Sequence, residues 1–359
     1  MLVLSIMNNI TSNPVSLRGR SRIISRRCVI LALAAFSLLP HAIAQAAENT
    51  GQLWLISTRS APLSGDLDAG QRSVCYWSYS ADCQWLPADE QSFRQSDDPA
   101  MPTTIVIHGN RDDADDAVQF AWPIYCHILQ IAADRPFRLV IWSWPSERMC
   151  RRNRADVQLK NCYADSQAYY LALCIRHMRG DVPLCLIGYS LGAPIATGSL
   201  HLLAGGSVAC RTLPAGDSPD KPSKRPAPIR GVLFAAAEDA DSLSCNGIHC
   251  LALSQVEKIL VTHNCCDRIL KFYPRLYGRG GPQALGFSGP AACGQYDRIE
   301  LLDVCCMVGK QHKWMYYTSS PSILQSIDPY VFPANAVSEK GTEPAAAQES
   351  TPHAPREAE

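Results

Sequence analysis

No Cys-x-x-Cys occurs in this chain of 359 residues, although it holds 16 cysteines. That absence removes the usual ligand spacing of a structural zinc site. Only Cys245, His249 and Cys250 remain as a conceivable metal-ligating group, and no metal or organic cofactor is expected. An excess of charge is missing too, because 33 basic residues balance 33 acidic ones. Without a basic block at either end or in the middle, nothing recommends a nucleic-acid partner, whose phosphates call for clustered Lys and Arg. Apolar runs are short: the uncharged stretch Cys28–Leu39 has about a dozen residues, against about twenty for a bilayer crossing. No stable membrane anchor is therefore expected. No internal repeat is present either.

What is present is apolar material for a large core, 47% of the residues. The length suits one α/β domain of about 250–300 residues with extensions, or two small domains. The N-terminus reads differently from the rest. Arg18, Arg20, Arg22, Arg26 and Arg27 precede Cys28–Leu39, and Ala42-Ile43-Ala44 or Ala44-Gln45-Ala46 offers a small-residue cleavage site. Residues 1–46 thus read as a signal peptide. Ser25-Arg26-Arg27-Cys28-Val29-Ile30 resembles a twin-arginine signal imperfectly, and the Sec route is preferred. Removing five arginines from the 33 basic residues leaves 28 against 33 acidic ones, a net charge of −5.

Fifteen cysteines beyond the signal fit export to an oxidising compartment, periplasmic or extracellular. The number is odd, so at least one thiol stays unpaired within the chain. Cys75 with Cys83, Cys150 with Cys162, and Cys245 with Cys250 could close small loops, but sequence proximity does not decide connectivity. Cys126, Cys174 and Cys185 sit in apolar patterns and read as small buried hydrophobes.

Strands are expected at Gln52–Ser57, Thr103–His108, Phe137–Trp144, Val182–Ile187, Ile229–Ala237, Lys258–His263 and Arg298–Val304, with a hairpin over Val74–Leu86. Helices are expected at Asp115–Ala133, Ala164–Met178 and Ala193–Leu203. Strands that alternate with helices and are apolar throughout predict an α/β fold, a mostly parallel central sheet of about eight strands with helices on both faces. The hairpin adds an antiparallel N-terminal edge. The domain spans residues 50–333, interrupted by an exposed insertion at 205–230 rich in proline, glycine and charge. Residues 334–359 hold few large apolar side chains and read as a disordered tail.

The segment Gly188-Tyr189-Ser190-Leu191-Gly192 carries most of the functional information. It joins an apolar strand to a helical segment, the setting in which G-x-S-x-G is a nucleophile elbow. A serine hydroxyl is a weak nucleophile at neutral pH and needs a base, itself oriented by a carboxylate. Asp267 follows the strand Lys258–His263, and His312 follows the strand Arg298–Val304. The order Ser190, Asp267, His312 is the one an elbow requires. Asp239 and Asp241, after the preceding strand, are alternative acids. His108 precedes the nucleophile strand and reads as a structural histidine bonding its loop. His263 reads as a rim residue, and His177 as part of a solvated helix face.

At these residues the chain resembles the α/β-hydrolase superfamily, in particular bacterial serine-esterase-like members. The matching pieces are the elbow, Ala236-Ala237-Glu238-Asp239, Asn264-Cys265-Cys266-Asp267-Arg268-Ile269-Leu270 and Gln311-His312-Lys313, within about Leu53 to Ile327. Glu238 stands where those members usually have proline. The resemblance implies an α/β-hydrolase fold and a small-molecule ester as substrate, cleaved through an acyl-enzyme. It also implies an oxyanion hole from the backbone N–H of Leu191 and that of Asn110 or Arg111. Asp241–Val256 is too short for a large lid. The same three side chains would serve an acyltransferase, and the same fold would serve a secreted binding or scaffold protein without chemistry. Oligomeric state is left open.

Overall fold

The computed structural model describes residues 51–332 apart from 66, 215–224, 279 and 292–295. The expected signal peptide, the tail and the middle of the 205–230 insertion lie outside the described residues. Among the described residues nine strands form one sheet: β1 (Gly51–Ser57), β2 (Cys75–Tyr79), β3 (Trp85–Ala88), β4 (Thr103–Ile107), β5 (Phe137–Ser143), β6 (Leu184–Tyr189), β7 (Ile229–Phe234), β8 (Val256–His263) and β9 (Ile299–Asp303). Their order is β3-β2-β1-β5-β4-β6-β7-β8-β9. The hairpin β2–β3 pairs antiparallel, as does β1 with β2, and every other pairing is parallel.

The main helices are α1 (Glu90–Gln95), α2 (Ala114–Ala132), α3 (Asn153–His177) and α4 (Gly192–Leu203). Every residue of β4, β5 and β6 is buried, because helices cover both faces. Successive side chains of a strand point to opposite faces. In β5, Phe137 meets Tyr125 of α2, whereas Trp142 donates to Gln167 of α3. Those two helices therefore lie on opposite sides. On the α3 side, α4 approaches closely: a Cβ on Gly198 would stand 2.9 Å from Cβ of Ala168.

Capping accounts for one helix start closely. Asp113 accepts from the N–H of Asp116 while the Asp116 carboxylate accepts from the N–H of Asp113, a reciprocal capping box. The start of α3 differs from expectation by about eleven residues, Asn153 rather than Ala164. Its first half reads as polar, yet Asp156 and Lys160 are both fully buried as an (i, i+4) ion pair at 2.9 Å. Charge balanced by a partner one turn away took the place of apolar residues there. The N–H groups of Met149 and Cys150 also donate to Asp156. Burial would raise this carboxyl, but those donors and Lys160 hold it at about 2.

The strand β7 stops at Phe234, shorter than the expected run to Ala237, because Ala235 turns to φ +46°. The freed residues fold towards the elbow, and Ala237 N–H donates to the Ser190 carbonyl. All 14 described cysteines are thiols. Of Cys75 and Cys83, which are near enough in sequence to close a small loop, each thiol donates to a nearby carbonyl, of Ser73 and Ala81. Among the described residues no helix is long and apolar enough to cross a membrane.

Candidate active site

Parallel strands bring their following loops to one edge, and the neighbouring strands β4 and β6 send the chain in opposite directions across the sheet, to β5 and to β7. Open α/β sheets bind their ligands at such a switch point, beyond the strand C-termini. Ser190 lies immediately after β6, at φ +51°. For a residue with a side chain this left-handed conformation costs about 1–3 kcal/mol, so the surroundings must impose it. Ser190 N–H donates to Phe234 O, and its carbonyl accepts from Ala193 and Ala237. The two motif glycines serve close approach. A Cβ on Gly188 would lie 2.6 Å from the Gly192 carbonyl, and one on Gly192 would lie 2.3 Å from the Ile107 carbonyl.

His312 reaches the serine from the loop between the short helices Cys305–Val308 and Met315–Thr318. Its Nε2 stands 2.9 Å from Ser190 Oγ, and its Nδ1 stands 2.8 Å from Asp267 Oδ2. A carboxylate only accepts, which assigns the imidazole proton to Nδ1 and leaves Nε2 to accept from the serine hydroxyl. Tyr189 OH donates to the His312 carbonyl at 2.7 Å, and burial pushes this phenol well above its usual range, so it stays a donor. Asp267 is fully buried. Its Oδ1 accepts the N–H groups of Ile269 and Leu270, which frees Oδ2 for the histidine.

Asn264 locks the acid and base loops together. Its Oδ1 accepts from Cys266 N–H, and its Nδ2 donates to the Gly309 carbonyl in the His312 loop. In the sequence it was visible only as the first residue of an Asn-x-x-Asp pattern. Tyr189 was visible only as an unspecified position of the elbow motif.

The loop after β4 packs against the serine, since a Cβ on Gly109 would stand 3.2 Å from Ser190 Cβ. Within it Arg111 is not an available donor, because its N–H is spent on the Ser146 carbonyl at 2.7 Å. The backbone N–H groups of Asn110 and Leu191 have no hydrogen-bond partner among the described residues. His108 is structural, as expected: Nδ1 faces Gly109 O, Nε2 accepts from Trp144 N–H, and the ring stacks on Trp144.

Among the described residues neither alternative acid is hydrogen-bonded to His312, whose Nδ1 meets Asp267. Asp239 accepts from Tyr273 OH at 2.8 Å, and burial raises its carboxyl, while Asp241 is exposed. His263 is half-buried at the end of β8. His177 departs from the solvated face expected of it, being half-buried and 3.0 Å from Glu90. Glu238, in place of the usual proline, is buried and accepts from Thr197 and Ser242. Cys245 and Cys250 do not gather with His249, whose Nδ1 instead meets Thr197 Oγ1. Two groups of ligand-type atoms do converge among the described residues, Cys265 with Cys266 and Cys305, and His263 with Asp303 and Cys305.

No family model matches this sequence, and no curated protein matches it. A crystal structure of a lipase-esterase related protein from Clostridium acetobutylicum is similar over 66% of this chain and 97% of that one, at 12% identity and a TM-score of 0.31. A likeness this slight carries no functional information.

Proposed function

We propose that the protein is an exported serine hydrolase of the α/β-hydrolase superfamily, cleaving a small-molecule carboxylic ester without a cofactor. The observation that carries the reading is the unbroken hydrogen-bonded line from Asp267 through His312 to Ser190, at 2.8 and 2.9 Å. Ser190 Oγ attacks the acyl carbon as its proton passes to His312 Nε2. Asp267 holds the imidazole in place and stabilises the imidazolium that forms. The developing oxyanion is received by the N–H groups of Leu191 and Asn110. Loss of one such donor typically costs about 3–4 kcal/mol of barrier. His312 then returns its proton to the leaving alkoxide, the alcohol departs, and an acyl-serine remains. Water, deprotonated by the same histidine, releases the acid and restores Ser190. The arginine-led apolar segment at the N-terminus supports export.

Labelling with a fluorophosphonate probe tests the reading. Folded wild-type protein is expected to label strongly, Ser190→Ala not at all and His312→Ala weakly, with short acyl esters as the first substrates to screen. A wild-type protein that is folded and unlabelled would overturn the assignment and leave a non-catalytic scaffold.

A further inference from the structure

We propose that Cys265 and Cys305 are a disulfide-forming pair whose bond ties the loop presenting Asp267 to the segment leading to His312. The parallel register pairs His263 of β8 with Asp303 of β9. Val304 N–H continues that ladder to the His263 carbonyl. Residues 265 and 305 therefore stand opposite one another two positions beyond the last paired residues. Neighbouring parallel strands are about 4.8 Å apart, within the Cα separation a disulfide bridges. The side chains face each other: Cys265 Sγ lies 3.3 Å from Cys305 Sγ, and Cys265 N–H points at the same sulfur at 3.2 Å. Cys266 belongs to the cluster, but its N–H is directed to Asn264.

The two thiols differ, and the difference orders the chemistry. Cys305 is half-buried and the less accessible of the two. Cys265 is exposed and is the first attacker. With a small-molecule disulfide as oxidant, Cys265 thiolate attacks one sulfur, forms a mixed disulfide and expels a thiolate. Cys305 then gives its proton to solvent and attacks Cys265 Sγ, expelling the second thiolate. The protein loses two electrons and two protons, and the oxidant becomes two thiols. The step is independent of hydrolysis, so it stands or falls apart from the proposed activity.

The test uses full-length protein and its Ser190→Ala variant, each treated with glutathione disulfide, alkylated and digested with trypsin without reduction. Arg268 closes one expected peptide, and Arg298 and Lys310 bound the other. A linked peptide pair two hydrogens lighter than the separate thiol peptides is expected from both proteins, and dithiothreitol should remove it. The bond closes a loop of sequence separation 40, so reduction is expected to lower Tm by about 5–10 °C. That shift should vanish in Cys265→Ser and in Cys305→Ser and persist in Cys266→Ser, which assigns the linked sulfur of each adjacent pair. Full alkylation of Cys265 and Cys305 in oxidised protein overturns the proposal. So does a link from either to another cysteine, or zinc that copurifies and shields both from alkylation.

Discussion

Two clusters in this molecule hold the same chemical groups, a hydroxyl, an imidazole and a carboxylate, and they are wired differently. Beyond the sheet edge, His312 is the middle member, with Ser190 on Nε2 and Asp267 on Nδ1. Beneath α4, the middle member is a hydroxyl: Thr197 Oγ1 lies 2.8 Å from Glu238 Oε2 and 2.9 Å from His249 Nδ1. An imidazole in the middle can accept a proton on one side while a carboxylate stabilises it on the other. A hydroxyl in the middle only satisfies its neighbours. Backbone setting separates the clusters further. Ser190 occupies a strained turn at φ +51°, whereas Thr197 sits inside a helix, its Oγ1 3.2 Å from the Ala193 carbonyl one turn back. Composition does not make a site; order of connection and access do.

The sharpest break of that contrast is loss of the serine or the histidine. Ser190→Ala and His312→Ala are each expected to lower kcat on the order of 10⁴-fold or more. Their Tm values should stay within a few degrees of wild type, read by steady-state kinetics beside thermal unfolding. Asp267→Asn keeps an oxygen for Ile269 and Leu270 but no longer fixes the proton on Nδ1. A loss of about 10⁴-fold in kcat is expected, and a loss of only a few-fold would remove Asp267 from its role.

Next in size is a change that should touch stability alone. Asp156→Asn leaves the buried Lys160 ammonium without its counter-charge, at an expected cost of about 3–5 kcal/mol by chemical denaturation. The same residue predicts a pH effect. Its folded value of about 2 lies below the usual 3.8. Its stabilising contribution is therefore complete above about pH 4 and is lost as pH falls towards 2. Unfolding curves of wild type should steepen across that window relative to Asp156→Asn. The smallest effect belongs to the buried cluster: Thr197→Val should cost about 1–3 kcal/mol and leave kcat unchanged. A collapse of kcat there would show that the second cluster is not merely structural.

Much of this was legible in local sequence. The elbow and the parallel strands are short-range patterns that period and turn chemistry suffice to read, and the order Ser190, Asp267, His312 follows from the strand that each residue succeeds. The start of α3 was not legible, because a buried ion pair at Asp156 and Lys160 looks like a surface in one dimension. The resemblance implies a backbone donor at Asn110 or Arg111, but the Arg111 N–H is engaged by Ser146, a residue 35 positions on that nothing in the sequence connects to it. The cysteines repeat the lesson. Pairs near in sequence, such as Cys75 and Cys83, donate to carbonyls beside them, whereas Cys265 and Cys305 bring their sulfurs to 3.3 Å, a proximity that follows from strand register.

The sequence by itself determined the class of fold and singled out Ser190 and its candidate partners, because apolar periodicity and a glycine-flanked serine act within a few residues. Tertiary structure alone decided which carboxylate meets His312, which backbone donors stay free, and which histidine is buried out of reach. Each of those depends on loops from different strands converging at one sheet edge, a geometry that exists only once the strand order is set.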